Sequence, residues 1–524
     1  MYDGRGGPPA DGDVAIVGDS IAAVGRLEGW RGREELDAPG LAVAPGFVNM
    51  LSWATESLLE DGRAQSDIRQ GVTLEVMGEG FSMGPLTASM KEELEAQSLL
   101  GHKVEWTTLG EYLEHLERRG VSPNVASFVG SATVRDHVVG ADDRPPTERE
   151  LAHMQQLVAD AMREGAVGLA AALVYAPAFY AQTDELIALA RPAGLYITHL
   201  RSEGDALLEA LDEFFDIVRS AGVRGEIYHL KVAGRANWHK LDAVIERVEA
   251  EQRAGLELTA DMYTYTAGAT GLDGAMPPWV QAGGFDTWRS RLLDPEIRAR
   301  VAAEMSAETD EWENMFQLAG PENIRLLGFK NEAMRPLTGK TLAEVAAERQ
   351  TSPAETAMDL VVEDRTRVEA AYFTMTEENL RRELALPWVS FCSDSWAPST
   401  EGRFLDRSTH PRAYGSFARL LGKYVRDERV VPLGEAIRRL TSLPARTLRL
   451  RRRGLLEPGF FADVVVFDPN RIQDHATFEE PHRYATGVQH VMVNGTLVLR
   501  DGEHTGALPG RVVRGPMWSR TAGA

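Results

Sequence analysis

The chain has a single cysteine, Cys392, in 524 residues. No intramolecular disulfide can form, a cysteine-rich zinc module is excluded, and the usage suits a reducing cytoplasm. No apolar run reaches the roughly 18 residues of a membrane-spanning helix. The N-terminus, MYDGRGGPPADGD, has neither the basic stretch nor the apolar core of a signal peptide. Basic residues are outnumbered, with 56 Lys and Arg against 78 Asp and Glu and a formal charge of -22. That balance argues against a nucleic-acid partner, which needs clustered cations, and leaves the charge of a pocket open. There is no Walker pattern, no Gly-x-Gly-x-x-Gly between a strand and a helix, and no local sign of a Ser-His-Asp triad.

What is present reads as a large globular protein, 44% hydrophobic and 26% charged, long enough for one big domain and a satellite. Residues 13–45 and the region after about 455 alternate apolar and polar positions between turns, the pattern of strands and hairpins. Asn494-Gly495, between two apolar runs, is a hairpin signal. The middle of the chain alternates differently. Strands are predicted at Val72–Met77, Ala166–Ala172, Leu195–His199, Glu226–Leu230, Leu256–Asp261 and Val389–Ser393. Helices are predicted at Glu148–Glu164, Thr183–Ala190, Glu203–Ser220 and Lys240–Ala254. Repeated strand–helix units imply an α/β fold with a parallel sheet, and over this length a (β/α)8 TIM barrel. The expected division is 1–45 and 451–524 as two parts of a small β-sandwich, with the barrel at 46–450. Residues 267–342 break the rhythm and are expected to form an insertion over the barrel mouth. The tail after Pro509 is expected to run extended on the surface.

Histidine is scarce, at twelve residues. Two of them, His199 and His229, end apparent strands about one βα unit apart, on the face where a barrel builds its active site. Paired imidazoles there suit a zinc site. Asp394 follows the strand WVSFCSD and offers a ligand, a base for metal-bound water, or a helix N-cap. Glu79, in GEGF after a strand, offers an oxygen ligand, and the sequence does not choose between it and Glu75 inside the strand. Lys231 shares a strand face with His229 and reads as a carboxylate clamp or a snorkelling lysine. Arg412 reads as a second clamp or a surface arginine.

The order of motifs resembles that of the N-acyl-D-amino-acid deacylases (D-aminoacylases), metal-dependent amidohydrolases. The motifs are APGFV at 44–48, QGVT at 70–73, ITHLRSE at 197–203, YHLKVAGRANW at 228–238, TADMYTYTA at 259–267, FCSDS at 391–395 and HPRAYGSFARLLGKYVR at 410–426, closed by LEPGFFADVVVFD. The resemblance spans nearly the whole chain. It implies a zinc-bearing barrel, a sandwich from both termini and a mobile insertion. By position it implies His199 and His229 as ligands of a tightly bound zinc and Asp394 as the catalytic aspartate. Lys231, Tyr263 and Arg412 fall near the residues that hold the substrate carboxylate, with Tyr265 close to Tyr263.

The departures are specific. The family's Pro-Gly-Phe-x-Asp and His-x-His read here as Pro45-Gly46-Phe47-Val48-Asn49 and Leu51-Ser52-Trp53. Leucine and indole do not bind zinc, so one divalent metal, zinc, is expected rather than two. The family's ligand cysteine after QGVT is absent, and Glu79 is the substitute, an oxygen donor that admits other divalent metals. About one strand of chain that usually precedes the DGRGG turn is missing, so either the start lies upstream or the sandwich lacks an edge strand.

The leading expectation is hydrolysis of an N-acyl-D-amino acid by a monomer or homodimer, with no nucleic-acid or membrane partner. Alternatives are a cyclic-amide hydrolase of dihydroorotase or hydantoinase type, a D-residue dipeptidase on the same fold, and a decayed paralogue that only binds a ligand.

Overall fold

Alternating apolar residues fold the first stretch into a hairpin, β1 (Asp13–Val17) and β2 (Ser20–Gly25), followed by β3 (Ala42–Pro45). The computed structural model describes residues 1–98, 100–309 and 311–519.

The next eight strands pair in parallel. β4 (Phe47–Ser52), β5 (Val72–Met77) and β6 (Asn124–Ser127) form one run. β7 (Val129–Gly130), β8 (Leu169–Ala172), β9 (Leu195–His199), β10 (Arg224–Ile227) and β11 (Leu258–Ala260) form another. Only Phe128 separates β6 from β7. Residues of β4, β5, β8, β9 and β10 are buried throughout, as parallel strands covered on both faces must be. The stretch predicted as a strand at 389–393 pairs irregularly with both runs. Ser390 N–H donates to Ala260 O at 2.7 Å, and Asp394 N–H donates to Leu51 O at 2.9 Å. Parallel bridges Ala260–Val389 and Ser52–Ser395 therefore tie β11 to β4 through this segment.

The helices between the strands follow their sequence signals. Glu148–Glu164 starts in a capping box, with Thr147 and Glu150 bonding each other's backbone N–H, and stops at Gly165, φ 121°. Leu207–Ala221 begins four residues later than predicted, because the chain before it loops inward and carries Glu203 into the interior. Its Phe214 and Val218 lie against β10, where Gly225 leaves room. A Cβ there would sit 2.7 Å from both side chains.

After the parallel strands the chain adds a separate antiparallel sheet. β12 (Gly268–Gly271) and β13 (Ile324–Leu326) flank β14 (Glu369–Tyr372) in an antiparallel sheet. An apolar cluster of its own runs from Leu272 to Tyr372 and includes Trp288, Phe316 and Met358. The helices Leu342–Arg349 and Pro353–Asp364 contribute Leu342, Val345, Leu360 and Val361 to that cluster. In sequence they carry the same amphipathic pattern as helices that cover a parallel sheet. Only the antiparallel pairing of β14 reveals their allegiance.

β15 (Val464–Phe467), β16 (Val488–Val493), β17 (Thr496–Arg500) and β18 (Glu503–His504) form an antiparallel sheet that β3 completes. Asn494 and Gly495 turn between β16 and β17 with φ 48° and 77°, the left-handed pair a tight hairpin requires. The β1–β2 hairpin packs on this sheet through Ile21, Leu456, Ala462 and Val464. The tail differs from expectation. Arg511 O accepts from Val125 N–H at 3.0 Å and Val513 N–H returns a bond to Val125 O at 2.8 Å, with Val512 and Val513 buried. Two apolar residues in a polar tail are paired with β6 rather than left on the surface. Among the described residues no helix is long and apolar enough to cross a membrane.

Candidate metal centre

Glu79 reaches the interior through a turn that only glycine permits. Gly78 and Gly80 have φ 105° and 63°, and a Cβ would lie 2.5 Å from Phe128 O at the first and 2.7 Å from Ala172 Cβ at the second. His199 is the last residue of β9. His229 lies two residues past β10 with φ 32°, and its backbone N–H donates to Asp261 Oδ1 at 2.9 Å. A buried carboxylate thus holds a histidine in a backbone conformation that costs energy.

These three side chains converge. Glu79 Oε1 lies 3.0 Å from His229 Nε2 and 3.4 Å from His199 Nδ1, all buried. The arrangement fits a divalent metal. A tetrahedral zinc with bonds of about 2.0–2.1 Å separates its ligands by about 3.3 Å. Two nitrogens, one carboxylate oxygen and an adjoining cavity also match the usual donor set of a hydrolytic zinc.

The outer nitrogens of both histidines meet one carboxylate. Glu203 Oε2 is 3.4 Å from His199 Nε2, and Oε1 is 3.1 Å from His229 Nδ1. Lys231 Nζ donates to Glu203 Oε1 at 2.7 Å and lies 2.6 Å from His229 Nδ1. Glu313, from the 272–372 cluster, accepts the backbone N–H groups of Glu203 and Gly204. His199, Glu203 and Glu313 therefore form a second close set of donors beside the first.

Asp394 has φ 47° and faces two donors. Arg412 Nη1 donates to its Oδ2 at 2.7 Å and Trp53 Nε1 to its Oδ1 at 3.1 Å. The Tyr263 ring lies between two cations, with Arg412 Cζ 4.6 Å and Lys231 Nζ 5.7 Å from its centroid. Tyr265 turns away, donating to Pro411 O at 3.4 Å with Arg419 over its ring.

The charges follow from this packing. Burial pushes the Glu79 carboxyl up, but hydrogen bonds from His199 and His229 outweigh it and hold the group below the usual carboxylate range. Burial acts likewise on Glu203, and the charges of His199, Lys231 and His229 pull it down. For Asp394 burial wins over the Arg412 guanidinium, so its proton is held more tightly than usual. Burial and the neighbouring Glu203 raise Glu313 to about 7.

Glu79, His199, His229, Lys231, Tyr263, Asp394 and Arg412 all line one cavity of about 570 Å³. Its walls also include Leu86, Met90, Leu94, Trp288 and Met315. Glu75 is elsewhere. It accepts from Asn49 Nδ2 at 2.9 Å inside the sheet, where burial raises it to about 7. Two participants were not singled out from sequence. Glu203 stands four residues after His199, a spacing that could have flagged it, whereas Glu313 gives no local signal.

The chain matches the amidohydrolase family model over residues 34–499. It is 33% identical to the D-aminoacylase of Alcaligenes xylosoxydans xylosoxydans, over 98% of this chain and 96% of that one. Among solved structures it superposes with a TM-score of 0.80 on a D-aminoacylase, at 32% identity over 98% of both chains. That structure is described as having a binuclear metal centre with one-metal activation and second-metal attenuation. The TM-score is also 0.80 against an N-acyl-D-glutamate deacylase from Bordetella bronchiseptica, at 30% identity over 98% of this chain and 97% of that one. The latter was solved with zinc and a phosphonate mimic of the tetrahedral intermediate. The chain belongs to the amidohydrolase family.

Proposed function

We propose that this protein is a metal-dependent deacylase that converts N-acyl-D-amino acids to a carboxylate and a free D-amino acid. One observation carries the reading. Glu79 Oε1, His199 Nδ1 and His229 Nε2 converge in the same cavity as Asp394 and Arg412, in a chain one-third identical to a D-aminoacylase.

Glu79, His199 and His229 would hold one divalent metal, zinc. When bound, the metal polarises the scissile carbonyl and makes water acidic enough to attack at neutral pH. Glu203 lies behind both imidazoles, near their outer nitrogens, and with Lys231 fixes how His229 is presented. Asp394 is the general base and then, carrying the proton, the acid for the leaving amine. Its buried setting strengthens its grip on that proton, while Arg412 and Trp53 fix its two oxygens. Lys231, Tyr263 and Arg412 orient the substrate carboxylate. Arg412 Nε is buried without a partner among the described residues, which leaves a donor for it. Holding that carboxylate fixes the amide relative to Asp394.

In the same reading, the two parallel runs joined through 388–395 are one closed (β/α)8 barrel. The pairing that returns from β11 to β4 supports this. The sheet shared by β3 and β15–β18, with the hairpin packed on it, supports a β-sandwich from residues 1–45 and 451–524 around a barrel at 46–450. The insertion then runs from about 267 to 372 and closes over the cavity, to which it contributes Trp288, Met315 and Glu313. A cytoplasmic monomer or homodimer fits the single cysteine and the acidic composition.

The test is direct. Protein loaded with one equivalent of zinc is expected to hydrolyse N-acetyl-D-amino acids and to leave the L-enantiomers intact. Absence of turnover on any N-acyl-D-amino acid by metal-loaded protein would overturn the proposal.

A further inference from the structure

One contact in the cavity joins the two carboxylates to which the proposed function gives different work. Trp53 Nε1 lies 3.0 Å from Glu79 Oε2 and 3.1 Å from Asp394 Oδ1. Glu79 uses its other oxygen, Oε1, toward the histidines, and Asp394 uses its other oxygen, Oδ2, toward Arg412. The two remaining oxygens thus face one shared notch, and the indole nitrogen fills it.

A notch between two carboxylate oxygens is where a second cation would bridge. The space is taken by an N–H that donates and never ligates. The indole is held on its own side by its backbone, whose N–H donates to Ser395 O at 2.9 Å, next to Asp394. Its ring lies among the partly buried residues packed on the apolar interior beside Leu51. Leu51, two residues back near the end of β4, is fully buried and offers no donor. Among the described residues the close donor sets contain no sulfur and no nitrogen other than those of His199 and His229.

We propose that Trp53 is a positioning residue that takes the place of a second cation between Glu79 and Asp394, so that the site holds one metal and is not attenuated by a second. This rests on the deacylase reading above. The single N–H keeps the Glu79 and Asp394 oxygens at a set separation, leaving Glu79 to hold the metal and Asp394 to move the proton. It differs from a cation in one functional respect: it adds no full charge, so Asp394 remains a better base than it would be beside a second metal.

Cobalt(II) titration, read by visible absorption and elemental analysis, tests the stoichiometry without reference to turnover. Wild type is expected to saturate at one equivalent, with activity flat as zinc or cobalt rises beyond it. Trp53→His, which restores a ligand nitrogen, is expected to take up a second equivalent and lose activity as it fills. Trp53→Phe keeps an aromatic, though smaller, side chain and removes the N–H. It is expected to lower kcat by about tenfold with KM nearly unchanged, the signature of a lost interaction that serves the transition state. Two equivalents in wild type, or a Trp53→Phe protein with unaltered kcat, overturns the role of Trp53 while leaving the deacylase reading intact. No bound metal in wild type removes both.

Discussion

Arg412 Nη1 and Asp394 Oδ2 are 2.7 Å apart in an ion pair almost wholly sealed from water. Removing one partner of such a pair strands the other, so its members are coupled in folding as well as in chemistry. Asp394 is also held in a left-handed backbone conformation, φ 47°, at the end of its segment. Strain of this kind is tolerated where surrounding contacts over-determine the geometry.

The Asp394→Asn variant keeps the size of the side chain and removes its capacity to take a proton. Metal content is expected to stay at the wild-type value while kcat falls by roughly 10²–10⁴, the range for a lost general acid–base. Parallel elemental analysis and steady-state kinetics check both halves. Full activity would remove Asp394 from the mechanism.

Chelation is expected to abolish turnover, and one equivalent of zinc to restore it. Binding to the native state alone should also raise stability, by about 2.7 kcal/mol at a free metal concentration one hundred times Kd. The wild-type melting temperature should therefore climb through a zinc titration. His229→Ala, which deletes the Nε2 donor, should show no such climb.

Glu203 touches both histidines from behind, so Glu203→Gln is expected to weaken metal affinity by about 10–100-fold, as such outer partners usually do. Competitive titration against a chelating dye measures this. An unchanged affinity would mean that the histidines are oriented by other groups.

Asp136 supplies a pH test away from the donors. Burial, aided by the charge of Glu93, raises its carboxyl to about 6 in the folded protein. A carboxyl raised on folding binds its proton more tightly in the native state, so stability declines as pH climbs from the ordinary carboxylate range through about 6. Asp136→Asn should therefore melt above wild type at pH 8, with the gap narrowing by pH 5. Thermal scans of both proteins at the two values decide it.

Much of the architecture was legible because it rests on local signals. The helices at 148–164 and 183–190 carry N-terminal signals and one apolar face, and they lie where the pattern placed them. The Asn494-Gly495 turn needs left-handed residues whatever surrounds it, and it joins two strands. The extent of the 272–372 cluster was not legible. The helices Leu342–Arg349 and Pro353–Asp364 have apolar faces that fit either core, and only the antiparallel β14 assigns them.

The sequence by itself determined the type of chemistry on offer: which residues end strands, how few histidines and cysteines exist, and the order of motifs that marks the family. Side-chain period and turn residues act over a few positions, so they survive without coordinates. The tertiary structure decided what each group faces. It separates Glu79 from Glu75, four residues apart, by sending one to the histidines and the other to Asn49. It brings Glu313 to Glu203 across 110 positions, and places the Trp53 indole between two carboxylates 315 residues apart. Such meetings depend on how distant strands and loops pack, and no local pattern in the chain encodes them.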